Sequence, residues 1–309
     1  MYGSPNTVLV FAVCSALGKN KNVACMLGKC CYFRGMNRKD LLQLIIKKQS
    51  LLCVGLDTDI DLIPKHLLKY EDPIFEFNKQ IIDATIDTAV AYKPNLAFYE
   101  SRGIEGWKSL EKTMQYLNQF KGEAFTIADA KRGDIGNTSK MYAKAFFEWM
   151  DFDSVTVAPY MGADSVKPFL EYKDKWVILL GLTSNAGSAD FQFSETGEGK
   201  LYEKVIRKAQ EWGTPDQLMF VIGATHPEQF VSIRNIAPEH FYLVPGVGAQ
   251  GGDINQICQN GLNNHGGLLI NSTRAIIYAS KGEDFAEKAR QCALDATQAM
   301  APYVKSLTA

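Results

Sequence analysis

From position 36 onward, short wholly apolar runs alternate with stretches in which apolar residues return every three or four positions, and a polar or glycine-rich turn follows each run. Such runs read as buried strands, and the periodic stretches read as amphipathic helices. Eight strands are predicted, at 52–56, 91–95, 124–128, 154–158, 176–180, 219–223, 241–244 and 267–270. Helical patterns fill most gaps, among them 74–89, 138–150, 199–212 and 283–300, and an earlier helix opens at Asn37-Arg38-Lys39-Asp40 and carries Leu41, Leu42, Leu44, Ile45 and Ile46 to Lys47 and Lys48. Eight strand-plus-helix units over roughly 270 residues predict one α/β domain, a single (β/α)8 TIM barrel. A doubly wound sheet is the alternative, but its glycine fingerprint is missing after the first strand, where Leu56 runs into Asp57-Thr58-Asp59.

The remainder, residues 1–35, has a different texture. It holds Lys19, Lys21, Lys29 and Arg34 with no acidic residue, and four of the seven cysteines, Cys14, Cys25, Cys30 and Cys31. Its apolar run from Thr7 to Leu17 lacks a basic lead and a convincing cleavage site, and is too short to cross a bilayer. We read 1–35 as a poorly ordered extension of no evident function, Met36 as a start, and 36–309 as the catalytic barrel. The whole chain carries 33 basic and 34 acidic residues, net −1, but without the four basic residues of the extension 29 face 34, net −5. Neither figure suits nucleic acid, and no membrane partner is expected. An odd, scattered set of cysteines without a Cys-x-x-Cys pair, and four histidines far apart, fit free thiols in a reducing cytoplasm better than disulfides or a metal cluster.

In a barrel, chemistry belongs at the C-terminal ends of the strands. The third strand leads into Asp129-Ala130-Lys131-Arg132-Gly133-Asp134, and the second ends in Lys93-Pro94-Asn95. In extended chain Asp129 and Lys131 share a face, with Lys93 on the neighbouring strand, so lysines and acids alternate at the mouth. Such an array is either a structural ion-pair network with Asp134 capping the next helix, or a catalytic one. Flanking carboxylates keep Lys131 an ammonium, a proton donor rather than a Schiff-base nucleophile, which suits a reaction passing through a carbanion. After the seventh strand comes Pro245-Gly246-Val247-Gly248-Ala249-Gln250-Gly251-Gly252, and after the eighth, Thr273-Arg274. Loops there commonly bind phosphate through glycine N–H groups and a guanidinium; the alternative is a flexible turn with an exposed arginine. The polar stretch 181–200, with Thr183 and Ser184 at its hinge, reads as a lid or as disorder. Asp57 either accepts bonds from a sugar hydroxyl or caps its own turn. Lys47, Lys48 and the histidines read as ordinary surface, core or loop residues.

Asp129-x-Lys131-x-x-Asp134 with Lys93, Pro245-Gly246-Val247-Gly248-Ala249-Gln250 and Arg274, in this order, resembles the orotidine 5′-phosphate decarboxylase family. The fuller texts Asp129-Ala130-Lys131-Arg132-Gly133-Asp134-Ile135-Gly136-Asn137-Thr138, Lys93-Pro94-Asn95-Leu96-Ala97-Phe98-Tyr99-Glu100 and Thr183-Ser184-Asn185 are similar to its longer bacterial and protozoan branch. The resemblance covers position 36 to the C-terminus. It implies a carboxy-lyase of pyrimidine biosynthesis that converts orotidine 5′-monophosphate to UMP with no cofactor and no metal. It also implies a homodimer in which Asp134, with Ile135 and Thr138, reaches across to the partner's Lys93, Asp129 and Lys131. Lys131 would protonate C6 of the pyrimidine, Asp57 and Lys93 would hold the ribose with Asn95 nearby, and Thr183 and Ser184 would hold the pyrimidine edge. Gln250 and Arg274, beside Pro245, would hold the phosphate. Thr273 stands where the family often has glycine, which bears on phosphate affinity. Two rivals remain: a hexulose-phosphate synthase, with a similar strand but a divalent metal, and a non-catalytic UMP-binding protein.

Overall fold

The computed structural model describes residues 35–225, 227–247 and 252–307. The 1–34 segment, and with it almost all of the predicted extension, lies outside the described residues, as does Gln250. Eight parallel strands close into a barrel: β1 (Leu52–Leu56), β2 (Ala91–Pro94), β3 (Phe125–Arg132), β4 (Ser154–Val157), β5 (Trp176–Leu182), β6 (Leu218–Ile222), β7 (Tyr242–Val244) and β8 (Leu268–Ser272). The order around the barrel is sequential, and β1 shuts it by pairing Leu52 with Ile270 on one side and Cys53 with Ala91 on the other. Five of these strands are buried at every position, because side chains fill the inside and helices cover the outside; that is why they read as unbroken apolar runs rather than alternating ones.

The predicted strands all exist; β1 matches to the residue and the others have shifted ends. β3 runs four residues past its predicted end and β5 two, while Asn95 leaves β2 and makes only a bridge to Asp129. The helices are α1 (Arg38–Lys48), α2 (Pro73–Thr85), α3 (Leu96–Glu100), α4 (Gly103–Leu117), α5 (Gly136–Lys144), α6 (Ala163–Leu170), α7 (Leu201–Ala209), α8 (Gln229–Ile236), α9 (Ile254–Gly261), α10 (Arg274–Ile277) and α11 (Phe285–Val304). The pattern at 138–150 is α5 followed by a π-turn, Ala145–Trp149. None of the described helices is long and apolar enough to cross a membrane. The 181–200 stretch holds a 3-10 turn, Ala186–Asp190, and a small hairpin of Glu195–Thr196 with Gly199–Lys200, so the disordered reading does not hold.

The end of the barrel opposite the candidate site is closed by unusual means. Asn37 and Asp40 form a capping box that starts α1, and Trp176, wedged edge-on against Phe125 and Phe241, donates its indole N–H to the Met36 carbonyl at 2.7 Å. Lys48 is not the surface residue its position in sequence suggests. Its ammonium donates to the carbonyls of Ile86, Ala89 and Glu123 at 2.5, 2.7 and 2.5 Å, joining three segments, and burial pushes its pKa down to about 8. Arg234 does the same for the last strands, donating to the carbonyls of Ala237, Pro238, His240, Gly261 and Gly267 with its guanidinium over the Tyr242 ring at 3.7 Å.

His240 lies buried against the Phe220 ring, and neither ring nitrogen meets a protein hydrogen-bond partner. Burial, with Arg234 and Arg38 nearby, pushes its pKa down to about 4. The unfolded chain takes up this proton near the ordinary histidine value of 6.5 and the folded chain does not, so stability is lost as pH falls from 6.5 through 4. The loss is on the order of 3 kcal/mol by pH 4. Urea midpoints measured at pH 7 and pH 4 check this: His240→Leu should flatten the decline, and an unchanged decline would assign it elsewhere.

Candidate functional site

The strand ends bring together Asp57 after β1, Lys93 on β2, and Asp129 and Lys131 on β3. Lys93 is buried, with its ammonium 2.8 Å from Asp129 Oδ2 and 3.8 Å from Asp57 Oδ1. The other Asp129 oxygen, Oδ1, takes the Lys131 ammonium at 2.5 Å. Acid and base therefore alternate along Asp57, Lys93, Asp129 and Lys131. Burial works against the Lys93 charge, but Asp129 and Asp57 overcome it and hold its pKa above the ordinary lysine value. Burial likewise opposes ionisation of Asp129, and the two ammonium groups overcome it, holding its carboxyl far below the usual carboxylate range. Only the outermost cation is open: the Lys131 side chain is 53% exposed, against 4% for Lys93 and 10% for Asp129.

Lys131 and Asp129 do meet, though not by plain extension. The register of β3 against β4 shifts between Ala128 and Arg132, and Lys131 has φ +46°, a left-handed conformation that costs a non-glycine residue about 1–3 kcal/mol. Thr156 on β4 lies opposite this bulge and bonds both residues, accepting the Lys131 N–H at 2.8 Å and lying 3.2 Å from Asp129 Oδ1. Beyond the bulge Arg132 is fixed by an ion pair to Glu100, a bond to the Ala130 carbonyl, and the rings of Tyr142 and Phe146.

Asp134, expected to reach across to the row of a partner subunit, stands apart from the row of its own chain. Its Oδ1 accepts the adjacent Ile135 N–H at 2.7 Å, it has no ion pair among the described residues, and it does not cap α5, whose N-cap is Ile135 with no side-chain hydrogen bond. Asp57 extends the row at its other end, beside Lys93. It does not cap its turn: Oδ2 accepts from Asn95 Nδ2 at 3.3 Å, while Oδ1 is buried without a hydrogen bond. Asn95 also caps α3 through the Ala97 N–H. Ile135 and Thr138 stand exposed on the segment after Asp134, with Ile135 56% exposed.

Arg274 is exposed at the start of α10, and its guanidinium has no hydrogen bond or ion pair among the described residues. Thr273, before it, folds its side chain down onto Gly55, where a Cβ would come within 2.0 Å of Oγ1. The missing glycine at 273 is thus matched by a glycine on β1. Pro245 accepts the Ala224 N–H and is followed by Gly246 at φ +95°. Thr183 is committed within its own loop: Gln192 Oε1 accepts its N–H and Gln192 Nε2 donates to its hydroxyl, which donates to Asn185. Ser184 is held at its backbone, close against Gly223 and accepting from Thr225, with its side chain half-buried.

Sequence reading missed what supports these groups. Thr156 looked like one more β-branched strand residue. A buried chain links the Thr58 hydroxyl to Asn78, and Asn78 to Tyr99 and Thr113, while the Tyr99 hydroxyl donates to the Leu56 carbonyl and so braces the Asp57 loop. A signal was present: Asn78 falls on the apolar face of α2 among Ile74, Phe77, Ile81 and Ile82, where an unpaired amide would be costly.

With this geometry in hand, comparison places the chain among known proteins. Residues 50–289 match the model of the orotidine 5′-phosphate decarboxylase / HUMPS family. The chain is 61% identical over 257 residues to an orotidine 5′-phosphate decarboxylase of Phocaeicola vulgatus, covering 83% of this chain and 94% of that one. It is 57% identical over 273 residues to that of Bacteroides fragilis, covering 88% and 100%. Among solved structures it is similar to the UMP synthase of Leishmania donovani, with a TM-score of 0.73, 37% identity and 85% of this chain covered; it spans 56% of that protein's length.

Proposed function

Because the chain belongs to the orotidine 5′-phosphate decarboxylase / HUMPS family, we propose that it is a carboxy-lyase that removes CO2 from orotidine 5′-monophosphate to give UMP in pyrimidine biosynthesis. The observation that carries the mechanism is the gradient of exposure along the charge row: Lys93 and Asp129 are buried, and Lys131 alone of the three presents its ammonium to the barrel mouth. Breaking the bond from C6 to the carboxylate carbon leaves its electron pair on C6. The Lys131 ammonium stabilises that carbanion, then transfers a proton to C6, and the neutral amine regains a proton from water. Lys93 and Asp129 are already fully charged and fixed, so little reorganisation accompanies the step.

Asp57, with an oxygen free of hydrogen bonds, and Lys93 bind the ribose hydroxyls beside Asn95. Ser184 and Thr183 border the pyrimidine. Arg274 with Gln250, near Pro245, holds the phosphate, and contacts there draw the 181–200 segment over the site, so that binding energy remote from C6 serves the reaction. The enzyme acts without a metal, flavin or pyridoxal phosphate. Two ammonium groups on Asp129 repel a divalent cation, which favours this reading over the metal-dependent synthase.

The working unit is a homodimer in which Asp134, with Ile135 and Thr138, completes the partner's site. The isolation of Asp134 within its own chain supports this, as does an apolar surface around it, Ile135, Met141, Tyr160 and Met161, exposed by 56, 54, 93 and 48%. The free cysteines Cys53, Cys258 and Cys292 suit a cytoplasmic protein, and we take the barrel from position 36 as the catalytic domain. Orotidine 5′-monophosphate should be consumed in excess EDTA, followed by its ultraviolet absorbance. A strict Mg²⁺ requirement would sink the assignment in favour of the synthase, and UMP binding without turnover would favour a binding protein.

A further inference from the structure

β3 and β4 pair in step at Ile127 with Ser154 and Ala128 with Val155, and next at Arg132 with Val157. Between those points three residues, Asp129, Ala130 and Lys131, face one, Thr156. A bulge of this kind leaves a backbone N–H without its ladder partner. Here the Thr156 hydroxyl replaces that partner, accepting the Lys131 N–H at 2.8 Å. A hydroxyl has one proton to give. Asp129 Oδ1, at 3.2 Å, is nearer than the Ala128 carbonyl at 3.4 Å and carries charge. One buried oxygen atom therefore ties the backbone of Lys131 to the carboxylate that receives the Lys131 ammonium, while Asp129 is held on Oδ2 by Lys93.

We propose that Thr156 is a positioning residue for the decarboxylation, its hydroxyl holding the bulge in the one shape that aims Lys131 and fixes Asp129. Thr156 is 1% exposed and acts through these two residues, not on substrate. A left-handed lysine persists only where its surroundings over-determine it, and removing the hydroxyl takes away the bond to its own N–H. The proposal rests on the decarboxylase reading, so the native chain is assayed first with orotidine 5′-monophosphate; no turnover there overturns that reading rather than the role of Thr156.

Thr156→Val keeps the side-chain shape and deletes the hydroxyl. A misplacement of about 1 Å costs on the order of 100-fold, so kcat should fall by about that factor while KM and the UMP dissociation constant stay within about three-fold. Thr156→Ser should return kcat to within about three-fold of native. In the valine variant, hydrogen exchange at the Lys131 amide should quicken while the amides of Phe125 to Ala128 stay protected. The proposal is overturned if the valine variant keeps kcat within two-fold, if UMP binding weakens in parallel with kcat, or if serine does no better than valine. Should the valine variant not fold, Thr156→Ala against Thr156→Ser poses the same question: equal activities overturn it, and a serine advantage near 100-fold supports it.

Discussion

Lys131→Ala is expected to lower kcat on orotidine 5′-monophosphate by about 10⁴-fold or more and to leave UMP affinity within a few-fold of native. The size follows from the two tasks we propose for the ammonium, general-acid transfer worth about 10² to 10⁴ and charge stabilisation worth about 10² to 10³. The fold should survive, because Lys131 is half exposed and Asp129 keeps Lys93 at 2.8 Å and Thr156 at 3.2 Å after the loss. UMP lacks the departing carboxylate, and we assign its phosphate and ribose to other groups, so its affinity separates a missing proton donor from a damaged pocket. Steady-state kinetics and calorimetric UMP titration check both halves. A kcat near native would remove Lys131 from the role of proton donor.

Mixing two dead proteins should produce a live one. Lys131→Ala lacks the proton donor, and Asp134→Ala lacks the acid that we place in the partner's site. After random exchange of subunits, half of the dimers are mixed, and each mixed dimer holds one site with every native group, so about a quarter of native specific activity should return. The arrangement within one chain motivates the experiment: Asp134 contacts its neighbouring N–H and has no ion pair among the described residues, while Lys131 faces outward. Subunit exchange is verified by mass-tagged chains. Exchange without recovery would show that each site is built from one chain.

The sequence patterns carried the barrel well, because buried parallel strands leave an unmistakable run of apolar residues, and β1 was legible to the residue. Strand ends were less legible. β3 outruns its apolar text, since Asp129, Lys131 and Arg132 are strand residues with polar side chains. That Lys93, Asp129 and Lys131 meet was legible because strand ends of neighbouring staves converge at the barrel mouth. Asp57 was singled out as a candidate, but its place in the charge row was not legible, because that depends on Lys93 lying 3.8 Å from Asp57 and 2.8 Å from Asp129. Thr156 and Lys48 were missed for a related reason. Each acts on backbone groups brought near by tertiary structure, Thr156 on a bulge and Lys48 on three carbonyls, and no local pattern records such partners.

The alternating row at the mouth also divides the labour of attraction by range. Within one chain two acids and two bases in succession sum to zero, so their potential dies away faster with distance than that of a single ion, and in the proposed dimer Asp134 adds only a negative charge, so the row does not draw an anionic nucleotide from solution. The barrel around them is net acidic and opposes a polyanion. The exposed guanidinium of Arg274, without an internal partner among the described residues, is the group with reach. On the proposed reading, capture is long-ranged and belongs to the phosphate end, whereas the charge row takes hold of the substrate only at contact.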